Sequence, residues 1–128
     1  MRFLLDTHGF LWWATNSAQL SRTAREAIAD PRNEILKSAA SAWEIAIKQR
    51  LGKLSGVPLA SDRFNELVLL DGFSHLAVDH RHAVHAGAFV VDHRDPFDRL
   101  LAARSALERC ALVTLDPAFA LFGTATVW

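Results

Sequence analysis

Asp6, Glu44, Asp98 and Asp116 are acidic residues in separate segments, each beside a short apolar run or in the first turns of an amphipathic one. Carboxylates do chemistry in groups. A pair can divide acid and base roles, and a cluster of oxygen ligands can hold a hard divalent cation. The stretch HRDPFDRLLAARSALERC (93–110) raises the question most directly, because Asp95 and Asp98 lie one helical turn apart at what reads as a helix start. Asp95 precedes Pro96, so it fits an N-cap followed by proline at the first helical position. Asp98 then falls in the first turn and is left for other work. Each acid also has an ordinary use. Asp6 could cap a helix over THGFLWW, Glu44 could pair with Lys48 four residues on, and Asp116 could cap a turn at Pro117.

Whether the acids meet depends on the elements that carry them. FLL (3–5) reads as a buried strand ending at Asp6, and LWWA leads to a loop at Thr15–Ser17. A helix over 22–30 stops at Pro31, and EIL (34–36) is a second strand. Ser38 or Ser41 opens a helix through WEIAIKQRLGKL, with Trp43, Ile47 and Leu51 on one face and Gly52 at its end. SGVPLAS (55–61) is the loosest segment. RFNELVLLDG (63–72) is helical, FSHLAV is a strand, and DHRHAVHAGAF is a helix capped by Asp79. A helix from Pro96 to about Arg109, a strand ALVTL (111–115), a short helical turn after Asp116–Pro117 and a strand near 125–127 complete the chain. Short apolar strands alternating with amphipathic helices predict an α/β fold with a parallel sheet.

In such a fold, strand C-termini and the N-termini of connecting helices share an edge, where ligands bind. Asp6 and Asp116 follow strands, while Glu44 and Asp98 lie in the first turns of helices. The topology therefore brings all these acids to one edge. Two carboxylates ~5 Å apart at an effective dielectric of ~20 repel by roughly 3 kcal/mol. Several such contacts rival the ~5–15 kcal/mol stability of a whole domain, so a cation must compensate them. Oxygen ligands alone suit Mg²⁺ or Mn²⁺.

Composition narrows the classes further. With 128 residues, 51% of them hydrophobic, the chain reads as one globular domain over 1–128. Fourteen basic residues balance fourteen acidic ones, so no global field draws it to a polyanion. Cys110 is the sole cysteine, which excludes an internal disulfide and suits a reducing cytoplasm. Asp6 and His8 interrupt the apolar start, so it does not read as a signal peptide, and no run is long enough to span a membrane. His80, His82 and His85 lack the spacing and companions of a zinc site and read as surface histidines. Trp12 and Trp13 cannot both face inward on one helix, so one of them is a candidate for contact with a partner. For a phosphate-bearing substrate, the basic candidates near the acidic edge are Lys48, Arg50, Lys53, His93, Arg94 and Arg99.

Four blocks, LLDTH, SAASAWEIAIK, HRDPFDRLLAA and LVTLDPAF, resemble in their order the PIN-domain ribonucleases, specifically VapC-type toxins of VapBC toxin–antitoxin pairs. The resemblance covers nearly the whole chain. It implies a three-layer α/β/α fold around a mainly parallel sheet, and an Mg²⁺- or Mn²⁺-dependent endoribonuclease leaving 5′-phosphate and 3′-hydroxyl ends. By position, Asp6, Glu44, Asp98 and Asp116 are the catalytic, metal-holding acids it implies. It also implies a homodimer and inhibition by a VapB-like antitoxin. The chain departs from the family at His8, where many members carry Asn, and at Lys37, where they are usually apolar.

Two rival readings differ in class. An aspartyl-phosphate phosphatase or receiver shares the α/β pattern. However, the phosphatase motif needs a second Asp where this chain has His8, and a receiver's acidic pair and late lysine are not visible. A catalytically inactive module that binds RNA or protein is the other.

Overall fold

In the computed structural model, which describes residues 1–54 and 56–128, the chain forms β1 (Arg2–Leu5), α1 (Thr7–Ala14), α2 (Arg22–Ala29), β2 (Glu34–Ser38) and α3 (Ala39–Arg50). Then come α4 (Phe64–Leu70), β3 (Ser74–Leu76), α5 (His80–Ala88), α6 (Pro96–Glu108), β4 (Ala111–Val113), a 3-10 helix (Pro117–Phe122) and β5 (Thr126–Val127). The loose segment predicted at 55–61 is a series of turns and bends where it is described; Ser55 lies outside the described residues.

All five strands are parallel, in the order β3-β2-β1-β4-β5. Side chains alternate across a strand, so β1 feeds two cores. Phe3 and Leu5 join Phe10, Ile28, Ile45, Phe64 and Val68 on one face. Leu4 joins Leu36, Leu101, Leu112 and Phe119 on the other. Register enforces this, because Leu4 pairs with both Leu36 and Leu112. Near-continuous apolar strands such as FLL and ALV are what a sheet covered on both faces requires. Helices on both sides give the three-layer α/β/α architecture. From β1 the chain moves outward to β2, and later returns to place β4 on β1's other flank. The order thus reverses between β1 and β4, which makes their C-terminal ends the topological switch point.

Three expectations are corrected by packing. The α3 stripe of Trp43, Ile47 and Leu51 is not the buried face: Trp43 is 56% exposed and Leu51 52%. Ala40, Ser41, Glu44 and Ile45 face inward instead. Trp43 rests edge-on against Phe97 of α6, centroids 4.8 Å apart, which satisfies its ring without burying it. His82 is not a surface histidine. It is buried, its Nδ1 accepts from the Asp79 N–H at 2.9 Å to complete a capping box, and its Nε2 lies 2.9 Å from Glu108 of α6. Trp12 and Trp13 are both half-buried, and both pack against the core that contains Phe3 and Leu5. Trp12 packs on Trp128, while Trp13 packs on Phe73 and donates to Asp71 at 3.0 Å.

Candidate active site

A pocket of about 170 Å³ opens at the switch point. Its polar lining is Asp6, Thr7, His8, Glu44, Lys48, Asp95, Asp98 and Asp116. The acids predicted from Asp6, Glu44, Asp98 and Asp116 therefore share one cavity, each delivered by the element expected to carry it.

Asp6 is buried at the end of β1 and is also the N-cap of α1, the ordinary use weighed for it. Its Oδ1 accepts the Gly9 N–H at 2.6 Å, and its Oδ2 accepts the Thr114 hydroxyl. Thr114 Oγ1 in turn accepts the Asp116 N–H at 3.1 Å, which links the ends of β1 and β4. Asp116 is exposed and caps the 3-10 helix through Ala118 N–H at 2.9 Å. Glu44 accepts the Thr7 hydroxyl at 2.6 Å and pairs with Lys48 Nζ at 2.7 Å. Burial pushes the Glu44 carboxyl up, but the bonds from Lys48 and Thr7 outweigh it and its pKa is lowered. Asp98 goes the other way: burial raises its pKa, with Asp95 and Asp116 adding to the rise, against the bond from His93. His93 Nε2 lies 2.8 Å from Asp98 Oδ2, and its ring stands edge-on to Phe122.

The basic candidates separate. Lys48 lines the pocket, and His93 reaches it through Asp98. Arg94 is exposed and outside the lining. Arg99 is outside the lining as well. Its guanidinium donates to the carbonyls of Ala86 (2.9 Å), His93 (2.9 Å) and Phe89 (2.6 Å), so it ties the segment after α5 onto α6.

Lys37 is the cation that sequence reasoning did not place. It is wholly buried on β2, where Nζ donates to the carbonyls of Leu5 and Asp6 at 2.9 Å each and sits 4.9 Å above the Phe10 ring. Burial lowers its pKa to about 7 against the attraction of Asp6 and Glu44. Thr7, Gly9 and Thr114 were missed as well. DTHG and LVTLDP show their types, but not that their hydroxyls and N–H aim at carboxylates.

The donor set suits a hard divalent ion: carboxylate oxygens, no thiolate, and helix N-termini behind Asp98 and Asp116. Among the described residues, no three Asp, Glu, His or Cys side chains close on a single point. The acids line the pocket with their protein partners instead.

The model of the PIN domain matches residues 3–123. Ribonuclease VapC16 of Mycobacterium tuberculosis (strain ATCC 25618 / H37Rv) is 43% identical over 72 residues, which cover 56% of this chain and 51% of that protein. The match thus spans about half the length of that relative. In fold, the chain is similar to a structure described as VapBC2 from Rickettsia felis bound to a DNA fragment from their promoter. That likeness has a TM-score of 0.63 at 14% identity and covers 98% of this chain and 97% of the other. The parallel sheet, the acids at its switch point and the family match over 3–123 agree, and the chain belongs to the PIN-domain family.

Proposed function

We propose that the chain is an endoribonuclease toxin of a type II toxin–antitoxin pair, cutting RNA phosphodiester bonds at the acidic pocket with Mg²⁺ or Mn²⁺ bound. Asp6, Glu44, Asp98 and Asp116 lining one cavity at the switch point is the observation that carries this reading. The name of the mycobacterial relative supports ribonuclease activity, and the rickettsial complex supports a VapB-like antitoxin as inhibitor. A homodimer and a cytoplasmic site of action complete the proposal. Among the described residues, no helix is long and apolar enough to cross a membrane.

Asp6, Asp98 and Asp116 would hold the metal, with Glu44 as a further ligand or as the group that orients the attacking water. A divalent ion bound there lowers the pKa of water and neutralises charge on the phosphate. The chain's own contribution is orientation. Gly9 and Thr114 fix both oxygens of Asp6, Thr7 fixes Glu44, and His93 fixes one oxygen of Asp98. Lys48 is positioned to exchange its Glu44 partner for a substrate phosphate oxygen.

Asp6→Asn and Asp98→Asn, assayed on purified RNA with Mn²⁺, are expected to cut the cleavage rate by about 10²-fold or more. Full cleavage by either variant overturns the assignment. The second reading, an RNA- or protein-binding module without catalysis, draws on the carboxylates not closing on one point. A folded wild-type chain that cuts no RNA even with Mn²⁺ would select it.

A further inference from the structure

His8 lies two residues beyond Asp6 in the first turn of α1, and Trp12 follows it by one helical turn on the same face. Their rings are 5.6 Å apart between centroids and inclined at 37°, and Trp12 is braced from behind by Trp128 at 5.6 Å. His8 is exposed and Trp12 half-exposed, so the pair presents an open aromatic face.

This face borders the acidic pocket. His8 lines the acidic pocket itself and two further clefts. One, of about 360 Å³, is walled by His8, Trp12, Leu115 and Pro117 and shares Asp6 and Asp116 with the acidic pocket. The other, of about 460 Å³, runs from His8 and Trp12 toward Thr15, Gln19 and Lys53.

Resting on the nuclease reading above, we propose that the His8–Trp12 face is a stacking subsite for an unpaired nucleobase of the RNA, next to the phosphate being cut. Continuity is the first reason: a strand whose phosphate sits among Asp6 and Asp116 has its neighbouring base within the cleft that these same acids border. Charge is the second. With 14 basic residues balanced by 14 acidic ones, no global field draws the chain to RNA, and short-range stacking adds affinity that does not depend on net charge. Every base offers a π-face to an aromatic ring, and only an unpaired one is free to turn onto it. The subsite therefore selects single-stranded RNA.

The test has a binding arm and a kinetic arm. Anisotropy of a fluorescein-labelled single-stranded 12-mer RNA, titrated with the full chain in EDTA, reads the subsite without cleavage. His8→Ala is expected to weaken binding by about tenfold, and His8→Phe, which keeps a π-face but no ring nitrogen, to stay within about threefold of wild type. On a single-stranded RNA spanning a mapped cut, His8→Ala should raise KM by about tenfold with kcat little changed. An abasic ribose beside the cut should impair the wild type but add nothing to His8→Ala. His8→Ala matching wild type in both arms overturns the proposal and leaves the cleft to a peptide. His8→Phe as weak as His8→Ala also overturns it, in favour of a hydrogen-bonding or proton-transferring imidazole. If the wild type binds the 12-mer through His8 but cuts nothing, the nuclease reading fails while the subsite stands.

Discussion

Gly9 sits inside α1, where glycine costs about 1 kcal/mol relative to alanine, so on propensity alone alanine would be preferred. A Cβ there would meet Asp6 Oδ1 at 2.8 Å and the Val113 carbonyl at 3.4 Å. Asp6 cannot simply move aside, because Oδ1 is held by the Gly9 N–H and Oδ2 by Thr114. Gly9→Ala should therefore lower RNA cleavage by at least about tenfold while Tm, followed by circular dichroism, changes by only a few degrees. Wild-type cleavage by this variant would mean that the Asp6 rotamer is not pinned. The other acids show the same economy: Thr7 and Lys48 share Glu44, and His93 holds Asp98. In LLDTHG the aspartate stands out by type and position, but its hydroxyl partner, Thr114, comes from the far end of the chain.

Among the elements, α5 and α6 are joined at both ends. His82 reaches from α5 to Glu108, and Arg99 reaches back from α6 to carbonyls near the α5 terminus. The α5 cap rests on Asp79, whose carboxylate accepts the N–H groups of Arg81 and His82 and pairs with the Arg81 guanidinium at 2.9 Å. The Arg81 bond, helped by those N–H groups, lowers the Asp79 pKa to about 2. A carboxyl depressed on folding stabilises the protein above its unfolded value of about 3.9, and this contribution disappears as pH falls through the folded value. Wild type should thus unfold at higher urea than Asp79→Asn at pH 6, and the two midpoints should converge between about pH 4 and 2. A gap that stays constant over that range would show that the carboxylate charge is not what stabilises the cap. The capping signature itself was legible, since Asp79 and Asp95 stand immediately before helical runs and Pro96 marks a first turn. The buried face of α3 was not. Trp43, Ile47 and Leu51 make the better apolar stripe, but Glu44 and Ser41 turn inward because Thr7 meets them there.

At the scale of the molecule, a neutral chain gathers Asp6, Glu44, Asp95, Asp98 and Asp116 around one cavity and sets against them Lys48 at its wall and Lys37 beneath it. A divalent ion that binds there stabilises the folded state by mass action, about 2.7 kcal/mol at a hundred times its Kd. Saturating Mn²⁺ should raise Tm by on the order of 10 °C, EDTA should reverse the rise, and Asp98→Asn should largely abolish it. A Tm indifferent to Mn²⁺ would remove the metal from the proposal. The sequence by itself determined the α/β alternation, the parallel sheet and the edge at which Asp6, Glu44, Asp98 and Asp116 gather. Periodicity, caps and chain direction are local, and topology then follows from a few general rules. Tertiary structure alone decided how those acids are held and which cations reach them. Lys37 is buried under Asp6, Arg99 is consumed by carbonyls, and Thr114 closes on Oδ2. A hydrogen bond is set by atoms a few ångströms apart, and here those atoms come from segments up to 108 residues apart in the chain.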